Sequence, residues 1–186
     1  AAECMHFDAG KPAMIYFVPR DGVSDIIQIP VDSHFNFHFA NGYDDEETGE
    51  VVFDMVKCDR MQLGTDSTLT APVWETVDYA TDVPYSKLIR YTFESPKTGS
   101  TKYTCSTLSE TQVDFVSVAP SVSCKKHRYV YGSSGSDNSK STPVQGLIKI
   151  DCETRSEVIW IGEKHEFLGE NIVIPRENSQ SEDDGY

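Results

Sequence analysis

Short runs that alternate apolar and polar residues follow one another along almost the whole chain. MIYFVPR, IIQIPV, HFNFHF, EVVFDMV, KLIRYTF, TKYTCSTL, QVDFVSV, HRYVYG, GLIKIDC, EVIWIGE and NIVIPR are all rich in β-branched and aromatic residues. Side chains on a strand point alternately to opposite faces, so a period of two marks a half-buried strand. Clusters of Gly, Asp, Ser, Asn or Pro separate most of these runs and supply the turns. No stretch of a dozen residues carries a helical period, although MQLGTDSTLTAPVWETV has room for a helical turn or two. The chain reads as all-β.

KLIRYTFESPKTGSTKYTCST and GLIKIDCETRSEVIWIGE share one plan: an alternating strand, a turn, and a second alternating strand. They begin about 59 residues apart, and ETGEVVFDMVKCD reads as part of an earlier copy. Repeated hairpins at this interval point to propeller blades of four strands each. A β-sandwich also fits short strands with frequent turns. As a propeller, 186 residues make about three to four blades, whereas a closed ring needs roughly four to eight. Residues 1–186 are therefore expected to form a single incomplete propeller segment, truncated at both ends. Residues 132–146, within the polar stretch YGSSGSDNSKSTPVQG, are expected to be an exposed loop.

A formal net charge of −14 argues against DNA or RNA as a partner, because phosphate backbones require a basic footprint. No run approaches the roughly 20 apolar residues of a membrane span. The start, AAECMHFDAGKPAMIYF, lacks the basic and apolar regions of a secretory signal and has no initiator Met, so the natural N-terminus is expected upstream. Five scattered cysteines without C-x-x-C are expected to be reduced thiols acting as small apolar fillers.

HFNFHF carries two histidines four apart. On a strand, His34, Asn36 and His38 face one way and Phe35, Phe37 and Phe39 the other. A strand rise of about 3.3 Å per residue separates the histidines by roughly 13 Å, so they cannot chelate one ion. At most one is a ligand of a given metal, and the rest of its shell must come from elsewhere in the fold.

The phrase F37-H38-F39-A40-N41-G42-Y43-D44-D45, followed by GEVVFD, resembles F-H-x-x-N-A-[YFW]-E-[ED] and G-x-V-V-x-D of the carotenoid cleavage oxygenase family. The likeness continues in order along the chain. P12-A-M-I-Y-F-V-P-R resembles P-A-R-F-G-V-x-P-R, and L88-I-R-Y resembles L-x-R-[YW]. D114-F-V-S-V-A-P with K126-H-R-Y-V-Y-G resembles E-F-P-x-[IV]-N-P with [RK]-x-R-Y-x-Y. G146-L-I-K-I-D resembles G-x-x-K-x-D. G169-E-N-I-V-I-P-R and E182-D-D-G-Y resemble G-E-P-x-F-V-P-R and E-D-D-G-Y.

The resemblance implies a partial seven-bladed β-propeller whose parent binds Fe(2+) on its axis through four histidines from different blades. It maps one ligand to His38 and none to His34, His6, His127 or His165. It maps carboxylates that hydrogen-bond ligand histidines to Glu170 and to Asp114. Asp114 departs from the family glutamate by one methylene, and Gly42 and Asp44 are milder departures. Two ligands are expected before this region and one after it, so the chain alone is expected neither to hold iron tightly nor to turn over substrate. The implied reaction is cleavage of a conjugated C=C bond of a carotenoid or apocarotenoid by O2, giving two carbonyl products. Stilbene-cleaving and retinyl-ester-isomerising members are alternatives within the family, and a metal-free propeller acting as a binding module is the alternative outside its chemistry. Phe35, Phe37 and Phe39 have the character to line a polyene tunnel or to pack between blades. A plastid or cytoplasmic, membrane-adjacent location is expected over secretion, with any membrane contact made by regions outside this segment.

Overall fold

The computed structural model describes residues 7–61, 75, 84–135 and 144–186. Ten strands run in the order β1 (Ala13–Phe17), β2 (Ile27–Val31), β3 (Phe39–Asp45), β4 (Glu50–Cys58), β5 (Ser86–Phe93), β6 (Tyr103–Ser109), β7 (Asp114–Ser117), β8 (Tyr129–Gly135), β9 (Val144–Asp151) and β10 (Glu157–Ile161). They form an antiparallel hairpin, β1-β2, and two four-stranded antiparallel sheets, β3-β4-β5-β6 and β7-β8-β9-β10. None of the sheets closes on itself. Among the described residues no helix is long and apolar enough to cross a membrane.

The three sheets stack as layers. One face of β4 and β5 carries Met55, Ile89, Tyr91 and Phe93, which bury Ile29 and Val31 of the hairpin. The opposite face carries Val56 and Leu88, which pack on Val130, Ile148 and Ile150 of the third layer. Strand alternation therefore makes the middle sheet apolar on both faces, with a largely aromatic core on one side and an aliphatic core on the other.

The turn between β3 and β4 and the turn between β9 and β10 are built alike. Asp45 Oδ1 accepts the amides of Glu47 and Thr48, and Asp151 Oδ1 accepts those of Glu153 and Thr154. Each turn then needs a left-handed residue, Gly49 (φ 72°) or Arg155 (φ 63°). This shared D-x-E-T chemistry explains why ETGEVVFDMVKCD resembles a repeat copy. The strand after it, β4, is nevertheless the second strand of its own sheet, whereas β10 is an edge strand. The equivalents of the β9-β10 hairpin are β5-β6 and, in the first layer, β1-β2.

The described residues hold two complete four-stranded sheets and a two-stranded hairpin of a third, in keeping with a partial propeller. Two expectations need correction. HFNFHF is not one strand: β3 starts only at Phe39, and Phe35 makes an isolated bridge to Cys58. Residues 132–135 and 144–146 belong to β8 and β9, and Gly132, Ser133, Ser134 and Gly135 are buried. The serines are tolerated there because their hydroxyls donate to the carbonyls of Gly169 and Gln112, each at 2.9 Å. Residues 136–143 of the expected loop, and most of MQLGTDSTLTAPVWETV, lie outside the described residues. Cys58 and Cys152 are buried fillers, whereas Cys105 and Cys124 are exposed; all are unpaired thiols.

The C-terminal segment straps the third layer. Glu182 accepts the amides of Arg128 and Tyr129, and Asp183 accepts the Tyr131 hydroxyl at 2.6 Å and pairs with Lys149. Ile174 and Tyr186 exchange both backbone hydrogen bonds at 2.8 Å.

Candidate metal centre

β3 and β7 are the first strands of neighbouring sheets, and they lie against each other. His38 directly precedes β3 and Asp114 opens β7. The two meet: His38 Nδ1–H donates to Asp114 Oδ1 at 2.7 Å. A carboxylate on Nδ1 fixes the tautomer that presents a bare Nε2, and it raises the basicity of that nitrogen. Nε2 of His38 has no hydrogen-bond partner among the described residues.

Backbone irregularity delivers the shorter acid. Asp114 pairs with Ser133 and Ser117 with Tyr131, so two residues, Phe115 and Val116, bulge opposite Gly132 alone. Phe115 takes the left-handed conformation, φ 50°. The Asp114 carboxylate bends back to accept the Phe115 amide at 2.8 Å with the same Oδ1 that receives His38. The Phe115 ring lies against the His38 imidazole, with centroids 5.1 Å apart. Phe37 and Phe39, either side of His38, are both exposed.

The other site residues read from the sequence fall differently. His34 Nδ1 bonds Asp32 O at 2.8 Å, its ring lies 6.0 Å from Tyr91, and burial pushes its pKa down. It therefore has its own structural neighbours, apart from those of His38. Glu170 is exposed and meets neither His38 nor any other described polar group. Its flanks are fixed, though: Gly169 O accepts from Ser133, and the Asn171 side chain is bonded to Ser117 and Phe115 O.

A second cluster of ligand-type side chains, Asp54, His127 and Cys152, is buried between the middle and third layers, with candidate atoms within 4.8 Å of one another. Its chemistry does not suit a cation. Arg90 donates to both Asp54 oxygens, at 2.7 and 2.8 Å, and His127 Nε2 donates to Oδ2 at 2.8 Å. Burial pushes the Cys152 thiol up to about 12, so it stays protonated. Burial pushes the Asp54 carboxyl up as well, but the hydrogen bonds and charges of Arg90 and His127 outweigh it and hold it below its usual range. The group is a satisfied ion-pair network.

Asn41 connects this network to the strand that follows His38. Its NH2 faces His127 Nδ1 at 3.0 Å and the carbonyls of Val122 and Lys125, while its Oδ1 accepts the Cys124 amide at 2.9 Å. One side chain thus fastens the loop between β7 and β8 three residues from His38. Its part was not visible in the sequence, and neither were those of Asp54, Gly132 and Asn171. For Asn41, the single available signal was a polar residue at a fixed distance after His38.

The sequence profile of the retinal pigment epithelial membrane protein family matches residues 1–186. The chain belongs to that family. Among family relatives it is 31% identical to the apocarotenoid-15,15'-oxygenase of Synechocystis, over 100% of this chain and 36% of that protein. It is 27% identical to the torulene dioxygenase of Fusarium fujikuroi, over 89% of this chain and 32% of that protein. It is 29% identical to the carotenoid 9,10(9',10')-cleavage dioxygenase 1 of Arabidopsis thaliana, over 97% of this chain and 33% of that protein. The structure matches a crystal structure of cobalt-substituted Synechocystis apocarotenoid oxygenase with a TM-score of 0.86 and 28% identity, covering 100% of this chain and 36% of that one. The three sheets are therefore part of a β-propeller, and the sandwich alternative falls away. The family includes members that bind a metal. The chain spans about a third of the length of these relatives.

Proposed function

We propose that this chain is the part of a longer non-heme Fe(II) dioxygenase that contributes one iron ligand, His38 Nε2. The whole enzyme would cleave a conjugated C=C bond of a carotenoid or apocarotenoid with O2 into two carbonyl products. The observation that carries the reading is the 2.7 Å bond from His38 Nδ1 to Asp114, which leaves Nε2 bare where the first strands of two neighbouring sheets meet. The names of the relatives, all oxygenases or dioxygenases of carotenoids or apocarotenoids, supply the substrate class.

The residues present fit one share of such a site. A neutral imidazole is a suitable ligand for ferrous iron, and its carboxylate partner orients it. When bound, the ferrous ion supplies the oxygen chemistry. The chain's own part is to hold the His38 ring in one orientation and to set two apolar rings beside it, Phe37 and Phe115, with centroids 6.2 and 5.1 Å away, whose character suits a long polyene. Glu170 is assigned to a histidine that lies outside this chain. The corresponding location is a compartment close to carotenoid-bearing membranes.

Metal analysis and product chromatography on the full-length protein test this. His38→Ala should lose stoichiometric iron and aldehyde production from an apocarotenal, and His34→Ala should keep both. Metal retained by the His38 variant would overturn the assignment. Carbonyl products from a stilbene alone would move the enzyme to the stilbene-cleaving branch, and a wild-type protein with neither metal nor products would support the binding-module reading. The isolated 186-residue chain should release its iron to a chelator.

A further inference from the structure

We propose that Asn171 is a positioning residue for the metal ligand, acting through the bulged strand that carries Asp114. The inference rests on the assignment of His38 as a ligand. Its observations are three hydrogen bonds around one bulge. Phe115 holds a left-handed backbone that non-glycine residues adopt only when their surroundings enforce it. Its N–H is held by Asp114 Oδ1 at 2.8 Å. Its carbonyl is held by Asn171 Nδ2 at 2.5 Å, and Asn171 Oδ1 accepts the Ser117 hydroxyl at 2.5 Å on the far side of the bulge.

The Asn171 amide therefore spans the bulge and fixes the turn of the chain at its peak. That turn sets where the Asp114 carboxylate points, because aspartate has too short a side chain to correct for a shifted backbone. Asp114 Oδ1 is in turn the partner of His38 Nδ1. The same asparagine sits next to Glu170, so one amide ties together the two segments that carry both carboxylates assigned to the centre. In the family phrase G-E-P-x-F-V-P-R a proline occupies this place, and proline has no side-chain hydrogen bond to offer. In E-F-P the acid is a glutamate, whose extra torsion lets the carboxylate follow a mobile backbone. Aspartate at 114 and asparagine at 171 thus form a compensating pair: the shorter acid works because the amide holds the strand still.

The experiment is a double-substitution cycle in the full-length protein, with Asn171→Pro, Asp114→Glu and the two combined. Asn171→Ala serves as a second disruption that leaves the backbone free. The readouts are Co(II) affinity and amide hydrogen exchange across residues 114–117. Either Asn171 substitution alone should speed exchange in 114–117 and weaken Co(II) binding by about 10-fold, the low end for losing an outer hydrogen-bond partner of a metal site. In the Asp114→Glu background, Asn171→Pro should cost less than 2-fold in affinity. Losses that simply multiply across the cycle, or unchanged exchange in 114–117, would overturn the proposal. A wild-type protein that takes up no Co(II) would sink the proposed function instead, and the exchange readout would still decide whether Asn171 holds the bulge.

Discussion

Gly132 shows how much one missing side chain can matter. It is the single residue facing the two-residue bulge, and a Cβ there would stand 2.4 Å from Val113 Cγ2 and 3.1 Å from Asp114 O. A contact that short forces the β-branched Val113 side chain or the strand carrying it to shift, so Gly132→Ala is expected to destabilise the protein by about 1–3 kcal/mol, the usual cost of overpacking. Urea unfolding will measure this, and metal content should fall with it because Asp114 is pushed away from His38. Among single residues, His38 stood out because a specific phrase surrounds it. Asp114 was legible as an acid in the right place, but that it reaches the imidazole depends on a bulge. Gly132 and Asn171 were not legible. Their roles come from strand register and a long-range approach, 54 residues apart in the case of Asn171 and Ser117, and a single sequence records neither.

Strands β4 and β5 bring Asp54 and Arg90 directly opposite each other, and the third layer adds His127. Asp54 is fully buried, with Arg90 its main charged partner. Breaking such a pair from one side strands a charge, so Asp54→Asn is expected to cost about 3–5 kcal/mol. The carboxyl is held below the ordinary aspartate value of about 3.9, so its contribution is complete above that pH. It is lost as pH falls through the lower value of the folded state. Wild-type stability should therefore drop below about pH 4, and the Asp54→Asn variant should lose part of that slope; thermal unfolding between pH 2.5 and 7 would show a parallel profile if this account is wrong. At this scale the strands were readable because a period of two survives in a single sequence. GSSG in β8 was not, since polar residues on a buried strand look like a loop until their hydroxyls find carbonyls. HFNFHF misled for the opposite reason: it alternates, yet Phe35 forms only an isolated bridge and the ladder begins at Phe39.

Across the whole molecule the three layers leave an apolar face at each end. Met14, Tyr16 and Val18 are exposed on the hairpin, and Leu147, Val158 and Trp160 on the last sheet, where with Ile172 and Tyr186 they border a cavity of about 280 Å³. Neither face has a partner sheet among the described residues, so copies of the isolated chain are expected to associate through them. Sedimentation of the isolated chain is expected to show species growing with concentration, and Trp160→Glu should reduce them; a strictly monomeric chain would show that these faces do not associate. The polar network between the second and third layers has a consequence for how similar sheets find their proper neighbours. Sheets of one plan are open to exchange during folding. Any sheet other than β7–β10 laid on β3–β6 would leave Asp54 without His127 and Asn41 without the loop it fastens, a loss of several satisfied buried groups at once. The Asp54–His127–Asn41 chain thus acts as an address, making the juxtaposition of these two sheets a matter of energy and not of sequence adjacency alone.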